Sequence, residues 1–420
     1  MRFKLKKCFH IHFVINSVLT IMIFGYLGVF NRYRMIPSYI LCLFLFIIIL
    51  MRNNFCLRFP RNNDLLLWGL LLVFIFISAL IFNTRTGFEY IVLILNGCLW
   101  YLVAYDEHEY RMLFKGIKVI SLIFAIFTII NYYNHEIVID IFKFIIADSQ
   151  IKTIYFDLNN GGIPGIAGES SYNAFCMTFG IFITFPQLIS SDKKFKLYNL
   201  VYLIIVSVGI SMTAKRSVLL LLFMLMVFDG RIENNMEANN KEEHYYYDDC
   251  VNCNFCCCSI CFYVVMQVVT KGTGTIQLSN REWFWNIAFE MFHKKPFFGN
   301  GINTYDFLYN ARKKSSGYIA FAGAHNSYIQ FLAELGIAGT IIYISAIIRE
   351  IIKTTSALKK SINLNLDKNS DILMTAFMGI LFCTLYAMSE NTFYQPQQLM
   401  CFFVFAHIAR TVKMERHVSV

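Results

Sequence analysis

"DLLLWGLLLVFIFISALIF", residues 64–82, carries one charge, Asp64, at its first position and none in the eighteen that follow. A helix needs roughly 20 apolar residues to cross bilayer hydrocarbon, so the run reads as a membrane span. Runs of the same kind recur at about 9–30, 36–51, 88–105, 116–133, 171–189, 197–212, 215–228, 250–269, 324–348, 372–389 and 397–412. The chain is 57% hydrophobic and 15% charged, against roughly 25% charge in soluble domains. The expected fold is all-α: a polytopic integral membrane protein of about twelve transmembrane helices, with residues 1–420 forming one membrane domain.

The leading MRFKLKK looks like a signal n-region. The apolar run behind it is too long for a cleaved signal and no small-residue cleavage site follows, so it reads as an uncleaved first span. The formal charge of +10 points first to cytoplasmic loop bias and not to nucleic acid. With the N-terminus inside, most of the 37 Lys and Arg fall on the cytoplasmic side, and half of the minority sits in one long segment, 270–323, where the charge rule is weak. Both termini are therefore expected in the cytoplasm. The long segments 134–170 and 270–323 face outward as periplasmic loops. Neither contains any of the 13 cysteines, so neither needs a disulfide. The run CVNCNFCCCSIC, 250–261, continues into an apolar span. Polarisable helix filler, a metal site and palmitoylation are the readings open for it.

The outward segments hold the polar clusters. NNGGIPGIAGESSYNAF, 159–175, puts Glu169 and Tyr172 at the mouth of a span after a glycine-rich stretch. It is either a linker with a helix cap or a polar wall of an outward-facing pocket. TAKRS, 213–217, places Lys215 and Arg216 at the outer membrane edge, where the charge rule does not want them. They either snorkel or meet phosphate, for which arginine is the preferred bidentate partner.

LSNREWFWNIAFEMFHKKPFFGNGINTYDF, 278–307, opens with a capping box, Ser279-x-x-Glu282, and so predicts a helix from Ser279. Phe284, Ile287, Ala288, Met291 and Phe292 recur at helical spacing, with Trp283 and Trp285 suited to an interface. Pro296 ends it. The expectation is an amphipathic helix lying on the membrane surface. Arg281 in its first turn is disfavoured by the helix dipole unless an anion binds there or the side chain snorkels to a headgroup.

AGAHNSYIQFLAELGIAG, 322–339, starts the next span with His325-Asn326-Ser327. Tyr328, Ile329 and Leu332 follow His325 on one helical face, and Gly336 and Gly339 allow close helix approach. The imidazole is either a cap at an interface or a group poised for proton transfer near neutral pH.

AHNSYIQFLAELGIAG resembles the signature of the O-antigen ligase and O-antigen polymerase superfamily. SNREWFWNIAFEMFHKKPFFGNGINTYDF, TAKRS and AGESSYNAF are similar to that superfamily's Arg-bearing helix with its Pro-x-x-Gly-x-Gly segment, its Ser/Thr-x-x-Arg element and its Gly-Glu-x-Ser-Tyr element. The signature region spans roughly 160–345. The resemblance implies a GT-C-like, metal-independent, cofactor-free glycosyltransferase. The donor would be a glycan on undecaprenyl diphosphate, embedded among membrane lipids, with a chain-length regulator and a flippase as partners. Arg216 and Arg281 would hold the diphosphate and His325 would activate the acceptor hydroxyl. Lys215, Glu169, Tyr172, Asn326, Trp285 and Arg312 would line the substrate path. Arg312 and Gly323 fit once an Arg-x10-Gly spacing of some polymerase loops. The other long loop has no arginine, a departure from any two-arginine-loop scheme. By resemblance, polymerase is favoured over ligase. A transporter is the rival class, and should show ionisable or broken-helix sites inside its spans.

Overall fold

The structure, a computed structural model, describes residues 36–52, 65–82, 85–102, 107–142, 148–190, 193–225, 281–306, 323–363 and 367–411. All regular structure among the described residues is helical. In chain order the helices are α1 (Ile36–Arg52), α2 (Leu66–Phe82), α3 (Arg85–Trp100), α4 (Glu107–Tyr133), α5 (His135–Phe142), α6 (Asp148–Asn159), α7 (Ser170–Ser190) and α8 (Lys193–Met212). They continue as α9 (Arg216–Leu225), α10 (Arg281–Lys294), α11 (Ser327–Asn363), α12 (Asp367–Tyr386) and α13 (Pro396–Thr411). The apolar runs that fall on described residues all became helices. The runs at 9–30 and 250–269, with the cysteine cluster, lie outside them, as do Ser279 and Arg312.

Two helical stretches, Glu107–Tyr133 and Ser327–Ser361, are each long and apolar enough to cross a membrane; other apolar helices are shorter. α2 shows the environment most plainly. Trp68, Leu71, Ile75 and Ala79 face inward, while Leu70, Val73, Phe76, Ile77, Leu80 and Ile81 stand exposed. A helix apolar on every side with one side uncovered suits lipid, not water. α13 is the opposite case, buried from Pro396 to Ile408 and packed by α3, α11 and α12. Near its far end, Arg410 Nη2 bonds both carboxylate oxygens of Glu350 on α11 at 2.5 and 2.6 Å. Its guanidinium lies 4.2 Å from the Tyr101 ring centroid, and Trp68 Nε1 donates to Glu350 at 3.2 Å.

α11 is broken once. Gly336 has φ 64° and ψ −169°, a backbone only glycine adopts cheaply. The break frees helix amides, and the segment after α10 takes them: Ile337 N donates to Pro296 O at 2.8 Å and Ala338 N to Phe297 O at 3.1 Å. Gly301 N donates back to Glu334 O at 2.9 Å. Gly299, at φ +70°, lies so close that a Cβ there would strike the Glu334 carbonyl. Gly299→Ala should therefore cost about 2 kcal/mol or more from overpacking against backbone, read as a lowered unfolding midpoint in detergent. An unchanged midpoint would mean this docking does not form.

The docked segment holds α10 on α11. Ile287, Ala288 and Met291 pack with Tyr305, Ala324 and Ala333. The apolar stripe expected to lie on lipid is thus covered by protein, while Trp283 and Phe289 stay exposed with the polar residues Glu282, Asn286 and Glu290. The 134–170 segment also differs from a plain loop. It contains α5 and α6, joined through Ile139 and Ile154. Asp157 at the end of α6 accepts from Ser170 N at 2.7 Å and Ser170 Oγ at 2.8 Å, which caps α7.

Candidate functional site

Several helix ends meet at one end of the bundle. Tyr386 Oη, closing α12, donates to Ser171 O on α7 at 3.5 Å. Ser327 N, opening α11, donates to Ala387 O at 2.8 Å. Gly162, before α7, abuts Ser170 and the carbonyl of Thr213, the residue just after α8. The glycine-rich stretch from Gly162 to Gly168 is buried in this junction. Asn173 Nδ2 ties it down, bonding Ile163 O at 3.3 Å and Thr128 Oγ1 at 2.7 Å.

His325 sits just outside α11. The helix cap is Asn326, whose Oδ1 accepts from Tyr328 N at 3.0 Å and Ile329 N at 3.1 Å. His325 itself has φ 50°, an unusual backbone for a residue with a Cβ. This turn swings the imidazole away from the helix. Phe284 of α10 meets its edge at 5.2 Å between ring centroids. Trp285 Nε1 donates to Ala324 O at 3.1 Å, so this tryptophan fixes the loop that carries the histidine.

The residue that unites the site is Glu390, in the connection from α12 to α13. Its Oε2 lies 3.2 Å from His325 Nδ1, and its Oε1 lies 3.5 Å from Arg281 Nη2. Ser327 Oγ donates to the Glu390 carbonyl at 3.1 Å, which holds that turn against the start of α11. An ionised carboxylate only accepts, so His325 Nδ1 carries the proton of this bond, and in the neutral form of the ring Nε2 presents a lone pair. The anion anticipated at the first turn of α10 is met here by the protein's own carboxylate.

Electrostatics widen the cluster. Partial desolvation pushes the Glu390 carboxyl upward, but the hydrogen bond and charge of His325, with Lys215 and Arg281, outweigh this and hold it below its usual value. Glu169 keeps a solvent-exposed surface, while the groups packed around it partly desolvate its carboxyl. That desolvation and the Glu390 charge raise its carboxyl, while Lys215 and His325 pull it down. Two carboxylates displaced in opposite directions within one cluster suit a site that handles protons.

Of the residues singled out from the sequence, the structure gathers Arg281, His325, Lys215 and Glu169 around Glu390. Arg216 begins α9 directly after Lys215 and is half-buried. Tyr172 packs against the main core beside Cys176. Asn326 and Trp285 make the cap and loop contacts just described. Among the described residues no group of three or more His, Cys, Asp or Glu is placed to hold a metal ion. Sequence reading missed Glu390. The polar step Ser389-Glu390-Asn391 at a span end was the available signal, since an acid at the same edge as Arg281 and His325 could pair with either.

It also passed over Glu334. That residue is fully buried within α11, two positions before the break at Gly336. An ionisable group beside a broken helix is the feature expected of a transporter. Here both are filled by the chain itself, through the segment 296–305.

The arrangement can orient a neutral imidazole, place a guanidinium and an ammonium beside it, and leave a second carboxylate within reach. Residues 174–344 match the family described as O-Antigen ligase. The match contains Lys215, Arg216, Arg281 and His325, and stops before Glu390. No curated protein matches the chain.

Proposed function

With an O-antigen ligase domain at 174–344 that puts this membrane protein in the O-antigen ligase and polymerase superfamily, we propose that it polymerises a surface polysaccharide. In this reading it is a GT-C-like, metal-independent inverting glycosyltransferase of the bacterial inner membrane. Its site faces the periplasm and both termini face the cytoplasm. The donor is a glycan on undecaprenyl diphosphate, and the acceptor is a sugar hydroxyl of another lipid-linked repeat unit. A flippase would deliver the repeat units and a chain-length regulator would bound the product.

The observation that carries this reading is the Glu390 bridge between His325 and Arg281. With Nδ1 held by Glu390, His325 Nε2 takes the proton from the acceptor hydroxyl. The hydroxyl oxygen bonds to the anomeric carbon from the face opposite the leaving group. The bond from that carbon to the diphosphate oxygen breaks, and the diphosphate leaves with the electron pair. Arg281, with Lys215 and Arg216, meets its charge. Fixed cationic donors at developing charge are typically worth about 10²–10³ in rate.

Arg281→Lys keeps charge but loses the planar double donor. It should lower transfer by about 10²-fold or more on that scale, measured with purified protein in lipid nanodiscs and a polyprenyl-diphosphate oligosaccharide. Wild-type rate in that variant would sink the assignment of Arg281.

The family description favours a second reading, ligation of the glycan to lipid A-core. Deleting the gene and viewing extracted lipopolysaccharide on a gel separates the two. Loss of polymerisation leaves core plus one repeat unit, and loss of ligation leaves bare core. Ladders unchanged from the parent strain would overturn both.

A further inference from the structure

We propose that Glu334 is a positioning residue for glycan transfer, a buried carboxylate that sets the places of both His325 and Arg281. This rests on reading those two as the reacting pair. Glu334 touches neither, and the contacts that link it to them run along separate arms.

The first arm leads to the histidine. Glu334 Oε1 accepts from Gln330 Nε2 at 3.2 Å, and Gln330 Oε1 accepts from Ala324 N at 3.0 Å. Ala324 is the residue before His325. The amide of Gln330 is thereby fixed in one orientation, because the Ala324 amide can only donate and Glu334 Oε1 already accepts from Tyr305 N. His325 holds its φ of 50° immediately beyond this anchored amide.

The second arm leads to the arginine. Glu334 Oε2 accepts from Asn303 N at 2.7 Å and Oε1 from Tyr305 N at 2.9 Å. Asn303 has φ 58°, so the chain turns sharply to present both amides to one carboxylate. Tyr305 Oη then donates to Phe284 O on α10 at 2.9 Å. Phe284 sits three positions after Arg281 and touches the His325 ring. Asn300 Nδ2 stitches the same segment to Met291 O and Ala333 O, both at 2.8 Å. The phenol of Tyr394, four residues after Glu390, lies beside the Glu334 carboxylate as well. All three parts of the site thus come to one buried group.

A carboxylate suits this place because three N–H donors converge on its two oxygens. Glutamine has one acceptor oxygen, so its NH₂ would face a backbone N–H and orphan at least one amide. A shift of about 1 Å in a reacting group can cost about 10²-fold in rate.

The test uses the full chain in nanodiscs, with hydrogen exchange read by mass spectrometry on peptides covering 299–305 and 323–326. Transfer is assayed from a polyprenyl-diphosphate oligosaccharide. Glu334→Gln should speed exchange in both peptides and lower the rate by about 10²-fold. Gln330→Met keeps the side-chain length and cuts only the first arm. It should speed exchange in 323–326 alone and lower the rate by about 10-fold or more. If Glu334→Gln fails to accumulate in the membrane, Gln330→Met decides. Faster exchange in 323–326 at an unchanged rate would overturn the proposal, as would unchanged exchange in that peptide. A wild-type protein inactive on this donor would overturn the functional reading instead, whatever the exchange pattern.

Discussion

His325→Ala is expected to reduce glycan transfer by about 10²–10⁴-fold, the range typical of a lost proton-transfer group, with the protein still inserted at normal level. The helix should survive because its cap is Asn326, not His325. Losing the imidazole removes one bond to Glu390 and leaves the Arg281 contact to that carboxylate. The informative variant is His325→Gln. Its side chain can still bond Glu390 through an N–H, but it cannot take a proton at neutral pH. If His325 acts as base, the Gln variant should be nearly as slow as the Ala variant. If the Gln variant runs near the wild-type rate, the ring only positions the acceptor. Glu169, whose carboxyl is raised and which keeps access to solvent, would then be the next residue to test as base.

The site was partly legible in the sequence, for reasons of range. Apolar runs announce helices locally, and those on described residues formed. His325 and Arg281 stood out because each breaks a local rule, an ionisable ring at a span mouth and a cation in a helix's first turn. Glu390 breaks none. It lies 65 positions from His325 and 109 from Arg281, and only the fold brings them together. Asn326, expected on the substrate path, also caps α11 through its Oδ1, a role its position before Ser327 already allowed. α5 and α6 were read as loop because each is short. Their apolar residues, Ile139 on one and Ile151, Ile154 and Leu158 on the other, make a face only when the two helices pair. The apolar stripe of α10 was legible, but its partner was not. A stripe fixes that something covers it, and here that is α11 and Tyr305, where lipid was expected.

Glu390→Gln is expected to slow transfer by about 10²–10⁴-fold, the upper end matching the loss when a histidine's orienting acid becomes an amide. The carboxylate serves two donors at once, His325 Nδ1–H through Oε2 and Arg281 through Oε1. An amide has one oxygen and one NH₂. If the oxygen faces His325, the NH₂ confronts the guanidinium and Arg281 loses its partner. If the NH₂ faces His325, Nδ1 must become the acceptor and the proton moves to Nε2, where the base needs a lone pair. Either orientation breaks one half of the site. Glu390→Asp keeps the acceptor chemistry but is one methylene short, so it should recover part of the rate. The pH dependence has a definite sign. The Glu390 carboxyl is depressed in the folded protein, so its contribution is complete above the ordinary carboxylate range. It is lost only as pH falls through that depressed value. In the wild type, therefore, the bridge should persist on mild acidification, and its loss should appear only below the ordinary carboxylate range. A Glu390→Gln protein with wild-type rate and pH profile would remove the bridge from the mechanism, and with it the orientation assigned to His325.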